Sequence, residues 1–157
     1  MITKDNFFGL IYHFLFAISS SVVGAIVASW PLLFIFMLVQ KTYETVHMSL
    51  FQVMHNYNQL MIYLIWPFKK RLKMDNFPTS ANAAEHFAEC KQLFVFAVLV
   101  FIVCLMLYFV FKKRRKKALL SLDKSAALIL LLLPIVVFPF AVTNFDSFFI
   151  IFHHMLF

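Results

Sequence analysis

The sequence holds only two glycines, Gly9 and Gly24, and both fall in its first apolar run. That excludes a phosphate-cradling loop and a nucleophile elbow, which need glycine where the chain turns sharply or meets a ligand closely. No H-E-x-x-H occurs, so the common zinc-hydrolase helix is absent too. Cysteine is as scarce. Cys90 and Cys104 are the two present, and on one helix they stand about 21 Å apart, too far for a disulfide. Charge is also sparse, at 13% of 157 residues against about 25% in a soluble domain.

What remains is apolar. Hydrophobic residues make up 63% of the chain, with 22 phenylalanines, and the mean hydropathy is +0.87. A soluble domain cannot hide that much apolar surface, so lipid must solvate much of it. The net charge of +7 does not point to nucleic acid, because "KKRRKK" at 112–117 supplies six of the fourteen Lys and Arg residues and lies between two apolar runs. Such a run reads as a topology signal held at anionic headgroups.

Three runs are long enough to cross a bilayer, which takes about 20 residues. The first extends from Phe7 to Val39, and Trp30-Pro31 is expected to kink or end it, leaving "LLFIFMLV" tilted or near the surface. A cleaved signal peptide is not expected: the apolar stretch is too long, its leading Lys sits beside an Asp, and no A-x-A site closes it. The second run is Leu93 to Phe111 and the third Ser125 to Val142. Dense positive charge beside span ends stays inside, which makes 112–117 a cytoplasmic hairpin. Lys41, Lys69, Lys70, Arg71, Lys73 and Lys91 offer an equal count, but most lie roughly 20 residues or more from a span end, where the orientation rule weakens.

The expected fold class is an all-α integral membrane protein, one membrane domain over 1–157. Its transmembrane helices are placed at about 8–30, 93–111 and 125–142, with extracytoplasmic segments at about 41–91 and 143–157. Residues 48–67 are apolar enough to suggest a fourth span, but His55-Asn56-Tyr57-Asn58-Gln59 would then sit at the bilayer centre, at high cost. Read as a helix, Leu50, Met54, Tyr57, Met61 and Leu64 fall on one side and Gln52, His55, Asn56 and Gln59 on the other. That pattern predicts an interfacial amphipathic helix, with Trp66 and Lys69-Lys70-Arg71 at headgroup level.

Chemistry-bearing residues gather at span ends. His86 precedes the second span and His153 follows the third. Two crossings lie between them, so both face one side of the membrane, the outside when the hairpin is inside. Ser80 or Asn82 can cap a helix, and Asn82 with Glu85 fits a capping box. Glu89 lies at i+3 from His86, where its carboxylate could accept one ring N–H and fix the tautomer. An interfacial histidine with solvated neighbours explains the same residues, as charges at span ends are common. Phe145, Phe148, Phe149, Phe152 and Leu156 recur at helical spacing and predict an apolar-faced surface helix, begun by Thr143 and Asp146. No serine or cysteine nucleophile is visibly placed beside a base. A histidine pair at an outward membrane surface suits proton transfer on a lipid-borne substrate.

"NYNQLMIYL" (56–64), "LKMDNFPTS" (72–80), "HFAECKQLF" (86–94) and "FDSFFIIFHHMLF" (145–157) resemble, in that order and spacing, the lipoprotein intramolecular transacylase (Lit) family. The resemblance runs from about residue 50 to the end. It implies an enzyme of the bacterial cytoplasmic membrane, with its active face outside and no cofactor or metal. The partners it implies are membrane lipids and a lipoprotein whose N-terminal cysteine bears a diacylglyceryl thioether and a free α-amine. The sn-2 acyl chain would move onto that amine, giving a lyso-form lipoprotein. The family's two functional histidines would map to His86 and His153, with His154 incidental. Asn58, Ser80, Glu89, Lys91 and Asp146 are the candidate substrate-binding or supporting residues. Two departures stand out: Ala83 replaces a glycine three residues before the first histidine, and the family pattern continues past F-H-x-x-F into a further span, so one span fewer is expected here. A non-catalytic membrane protein that binds lipid or a partner is the alternative.

Overall fold

The computed structural model describes residues 4–113, 124–143, 147, 150–151 and 153–154. Its elements are all helices: α1 (Lys4–Gln40), α2 (Thr42–Thr45), α3 (Leu50–Ile65), α4 (Ala81–Lys113) and α5 (Lys124–Thr143). The stretches Phe7–Gln40 and Ala81–Lys113 are each long and apolar enough to cross a membrane. Large aliphatic and aromatic side chains stand exposed along both, Val27 at 65% and Phe96 at 65% among them, a surface that lipid rather than water solvates.

α1 does not stop where the sequence suggests. It continues through Pro31 for 37 residues in all, about 55 Å of helix. Pro31 removes one backbone donor, but the residues after it are apolar, and in an apolar setting a helix satisfies its backbone where an irregular chain could not. Ser29 adds a bond from Oγ to the Ile26 carbonyl just ahead of the proline. Lys41 ends the helix instead: its N–H bonds the Met37 carbonyl, and its φ of 51° turns the chain left-handed. His47, with φ of 52°, likewise closes the single turn of α2.

The chain divides into two compact units, Ile18–Val103 and Met1–Ala17 with Cys104–Phe157. In the 18–103 unit α3 begins in a full capping box, with Ser49 Oγ accepting from the Gln52 N–H and Gln52 Oε1 accepting from the Ser49 N–H. Its C-terminal half buries Met61, Tyr63 and Leu64 against Ile26 of α1, with Phe87, Phe94 and Val98 of α4 packed around them. Residues on several faces of α3 are therefore covered, and Asn56, expected on the polar side, is 1% exposed. Packing on α1, α4 and the chain after α3 overrides the simple two-sided pattern.

Between Trp66 and Ser80 the chain forms neither helix nor strand. Ser80, rather than Asn82, starts α4: its Oγ accepts the Ala83 N–H at 3.3 Å and its carbonyl the Ala84 N–H at 2.9 Å. Ser80→Ala is expected to cost about 1 kcal/mol through loss of this cap. A urea titration of the chain in micelles would read it as a lower midpoint with an unchanged slope.

In the other unit, Tyr12 donates from its hydroxyl to the Cys104 carbonyl at 3.2 Å, and Phe8 meets Phe111 edge-on at 6.3 Å. Lys112 and Lys113 end α4 where its dipole favours cations. α5 carries Pro134 and Pro139 within its 20 residues, and Thr143 Oγ1 returns a bond to the Pro139 carbonyl at 2.9 Å. The hairpin residues 114–117 lie outside the described residues.

Candidate functional site

A cleft of about 370 Å³ opens in the 18–103 unit. Leu33 and Met37 of α1 form one side, and Val53, Tyr57 and Leu60 of α3 another. The strap between α3 and α4 supplies Met74, Phe77, Pro78 and Thr79, and α4 closes it with Ala83 and Phe87. The lining is almost wholly apolar, and Asn56, Tyr57 and Thr79 are its residues with a polar group on the side chain. Such a cavity suits a hydrocarbon chain.

His86 stands on the same turns of α4 as Ala83 and Phe87, offset from them by about 60° and 100° around the helix. Its side chain is 51% exposed. Glu89 reaches it only loosely, with Oε2 at 3.9 Å from Nδ1, beyond the length of an N–H···O bond. The expected tautomer lock is thus a long ion-pair contact here. On the other nitrogen, the Cys90 thiol lies 3.5 Å from Nε2, close enough for a weak S–H donor. The i,i+4 spacing of His86 and Cys90 was the available signal for that neighbour.

Asn58, Lys91 and Ser80 make contacts that join or cap elements of the fold. Asn58 accepts the Trp30 indole N–H at 2.5 Å, joining α3 to α1. Lys91 donates to the Lys69 carbonyl and lies over the Tyr63 ring at 4.6 Å, tying the turn after α3 to α4. Ser80 is the helix cap described above. His153 belongs to the other unit, helical and half-buried, with the His154 ring 6.4 Å away. Asp146 lies outside the described residues.

The family model of the lipoprotein intramolecular transacylase Lit matches residues 7–157. The chain belongs to the Lit family. A solved structure of the membrane-integral Lit from Bacillus cereus is 23% identical, with a TM-score of 0.69, and the match covers 98% of this chain and 73% of that one. Two structures of that protein with a histidine replaced, by arginine or by alanine, match at 22% and 21% identity, again with a TM-score of 0.69. They too cover 98% of this chain, and 70% and 71% of theirs. No curated protein sequence matches. At this identity the likeness shows a shared helical fold, one that membrane-integral proteins adopt.

Asn56 and Gln59, which helical periodicity puts on the polar side of α3, pair with two residues of the Lit-like stretch 72–80. Asn56 Nδ2 donates to Asn76 Oδ1 at 3.0 Å, and the Asn76 N–H donates to Asn56 Oδ1 at 2.9 Å. Gln59 Nε2 donates to Asp75 Oδ2 at 2.7 Å, and the Asp75 N–H donates to Gln59 Oε1 at 3.0 Å. His55 Nε2 also lies 3.1 Å from Asp75 Oδ2. The one clue was amides recurring at i and i+3 within an apolar helix, Asn56 and Gln59.

Hydrogen bonds from Gln59 first, and then from His55, hold the Asp75 carboxyl below its ordinary value of 3.8. A depressed carboxylate contributes stability above the unfolded value, and that contribution disappears as pH falls through the folded one. Residue-specific carboxyl NMR should therefore find Asp75 titrating below 3.8. In Gln59→Ala its midpoint should move back up.

Proposed function

We propose that this Lit-family chain moves the sn-2 acyl chain of a diacylglyceryl-cysteine lipoprotein onto the lipoprotein's own N-terminal α-amine, leaving a lyso-form lipoprotein. His86 and His153 carry the proton transfers. The observation that carries the reading is an exposed imidazole on α4, beside residues that line an apolar cleft, in a chain that matches the family over 7–157.

An α-amine with a pKa of about 7.7 to 8.0 is mostly protonated at neutral pH, and an imidazole of about 6.5 is a matched acceptor. One histidine takes the amine proton as nitrogen attacks the ester carbonyl. The tetrahedral intermediate then collapses, the N–C bond remains, the C–O bond to glycerol breaks, and the other histidine protonates the departing oxygen. The ammonium form first releases one proton to solvent. From the neutral amine onward, the proton that one histidine takes from nitrogen is matched by the one that the other gives to the glyceryl oxygen. Amine and ester sit on one molecule, so holding them in line supplies much of the acceleration. Neither an acyl-enzyme nor a cofactor is required.

In this reading the chain crosses the bacterial cytoplasmic membrane three times, keeps 112–117 inside, and presents both histidines outside. The 370 Å³ cleft receives acyl chain, while membrane lipid solvates the exposed faces of α1 and α4.

Expression in cells that make only diacylated lipoproteins tests this directly. Tandem mass spectrometry of N-terminal lipopeptides should show an N-acyl, S-monoacylglyceryl cysteine. An unchanged diacylglyceryl peptide, with the chain inserted in the membrane, would favour the non-catalytic alternative.

A further inference from the structure

The amide cluster on α3 plays no part in that acid–base scheme. It still demands explanation, because a buried amide is costly unless its donors and acceptor are all engaged. Asn56 meets that condition: besides its two bonds to Asn76, its Nδ2 donates to the Gln52 carbonyl at 2.6 Å. Asn56 bonds both backbone and side chain of Asn76, and Gln59 does the same to Asp75. Two adjacent residues are thereby pinned to one helix face, one turn apart. Slipping the strap by one residue would break all four bonds at once.

The strap has no helix or strand of its own to fix it. Yet Met74, Phe77, Pro78 and Thr79, immediately around the pinned pair, form one wall of the cleft. We infer that Asn56, Gln59 and Asp75 are positioning residues for acyl transfer, clamping segment 72–79 in register as a fixed wall against which the substrate's acyl chain lies. This rests on the acyl-transfer reading.

The test uses the full chain in lipid nanodiscs, as wild type, as Gln59→Glu, and as Gln59→Glu combined with Asp75→Asn. Gln59→Glu keeps the acceptor for the Asp75 N–H but sets two carboxylates against each other. The double variant restores a donor–acceptor pair with its direction reversed. Two readings are taken: trypsin cleavage after Lys73, and kcat and KM with a synthetic diacylglyceryl lipopeptide.

In Gln59→Glu, cleavage is expected to accelerate about tenfold as the strap opens more often. KM should rise about tenfold at nearly constant kcat, as for lost substrate binding. The double variant should bring both back. A general loss of folded protein would lower the active fraction without moving KM. Unchanged cleavage in Gln59→Glu, faster cleavage with unchanged KM, or failure of the double variant to rescue would each overturn the inference. Should the wild type transfer no acyl chain, the function falls first, and the strap is judged by protection: lipopeptide must slow cleavage after Lys73, and absence of protection overturns the wall.

Discussion

Replacing His86 with alanine should slow N-acyl transfer by about 10² to 10⁴-fold, the range in which a lost general acid or base usually falls. The fold should survive. His86 is half exposed, alanine is the better helix former, and the start of α4 is held by Ser80 rather than by the imidazole. Stability should therefore change by under about 0.5 kcal/mol. That contrast separates a chemical role from a structural one, and it sets His86 apart from Asn58 or Lys91, whose contacts tie α3 and the following turn to α1 and α4. Equal acyl transfer by the alanine variant at equal protein level would remove His86 from the mechanism.

His153→Ala should produce a loss of similar size, and the double variant should lose little more than either single one. Groups that act as a unit in one reaction are strongly non-additive, because removing the first already forfeits the route that the second serves. Two histidines that contribute independently would instead multiply their losses. His154→Ala is the internal control: it stands next to His153 on the same helical stretch, its ring 6.4 Å away, and should leave transfer within about twofold. Single-turnover rates for the four variants, compared at equal folded protein, decide between these patterns. Multiplied losses in the double variant, or a large loss in His154→Ala, would contradict the assignment.

Much of the architecture is written in composition and periodicity. Two glycines, sparse charge and long apolar runs require helices in lipid, and α1 and α4 are helices of that kind. Helix ends were less legible. Pro31 is a breaker in water, but inside an apolar run the alternative to helix is unsatisfied backbone, so the helix persists to Gln40. Serine and asparagine both cap helices, and spacing alone did not tell Ser80 from Asn82. Asn56 was the hardest to read. Its polarity placed it on a solvated face, whereas its partner, Asn76, lies 20 residues along the chain. No local pattern encodes a pairing at that distance. His86 could be singled out because it sits at the start of an apolar run, but the Cys90 thiol against its Nε2 follows only from where the side chains point.

In the proposed reaction the acyl chain stays on the lipoprotein that supplied it. Two synthetic diacylglyceryl lipopeptides, differing in peptide mass and in the isotope of the sn-2 chain, are mixed with the purified chain in vesicles. Mass spectrometry then reads which label each N-terminus acquires. Transfer within one molecule yields two N-acylated products, each carrying its own sn-2 isotope and one remaining S-glyceryl chain. Scrambled isotopes, or acyl taken from bulk phospholipid, would contradict intramolecular transfer.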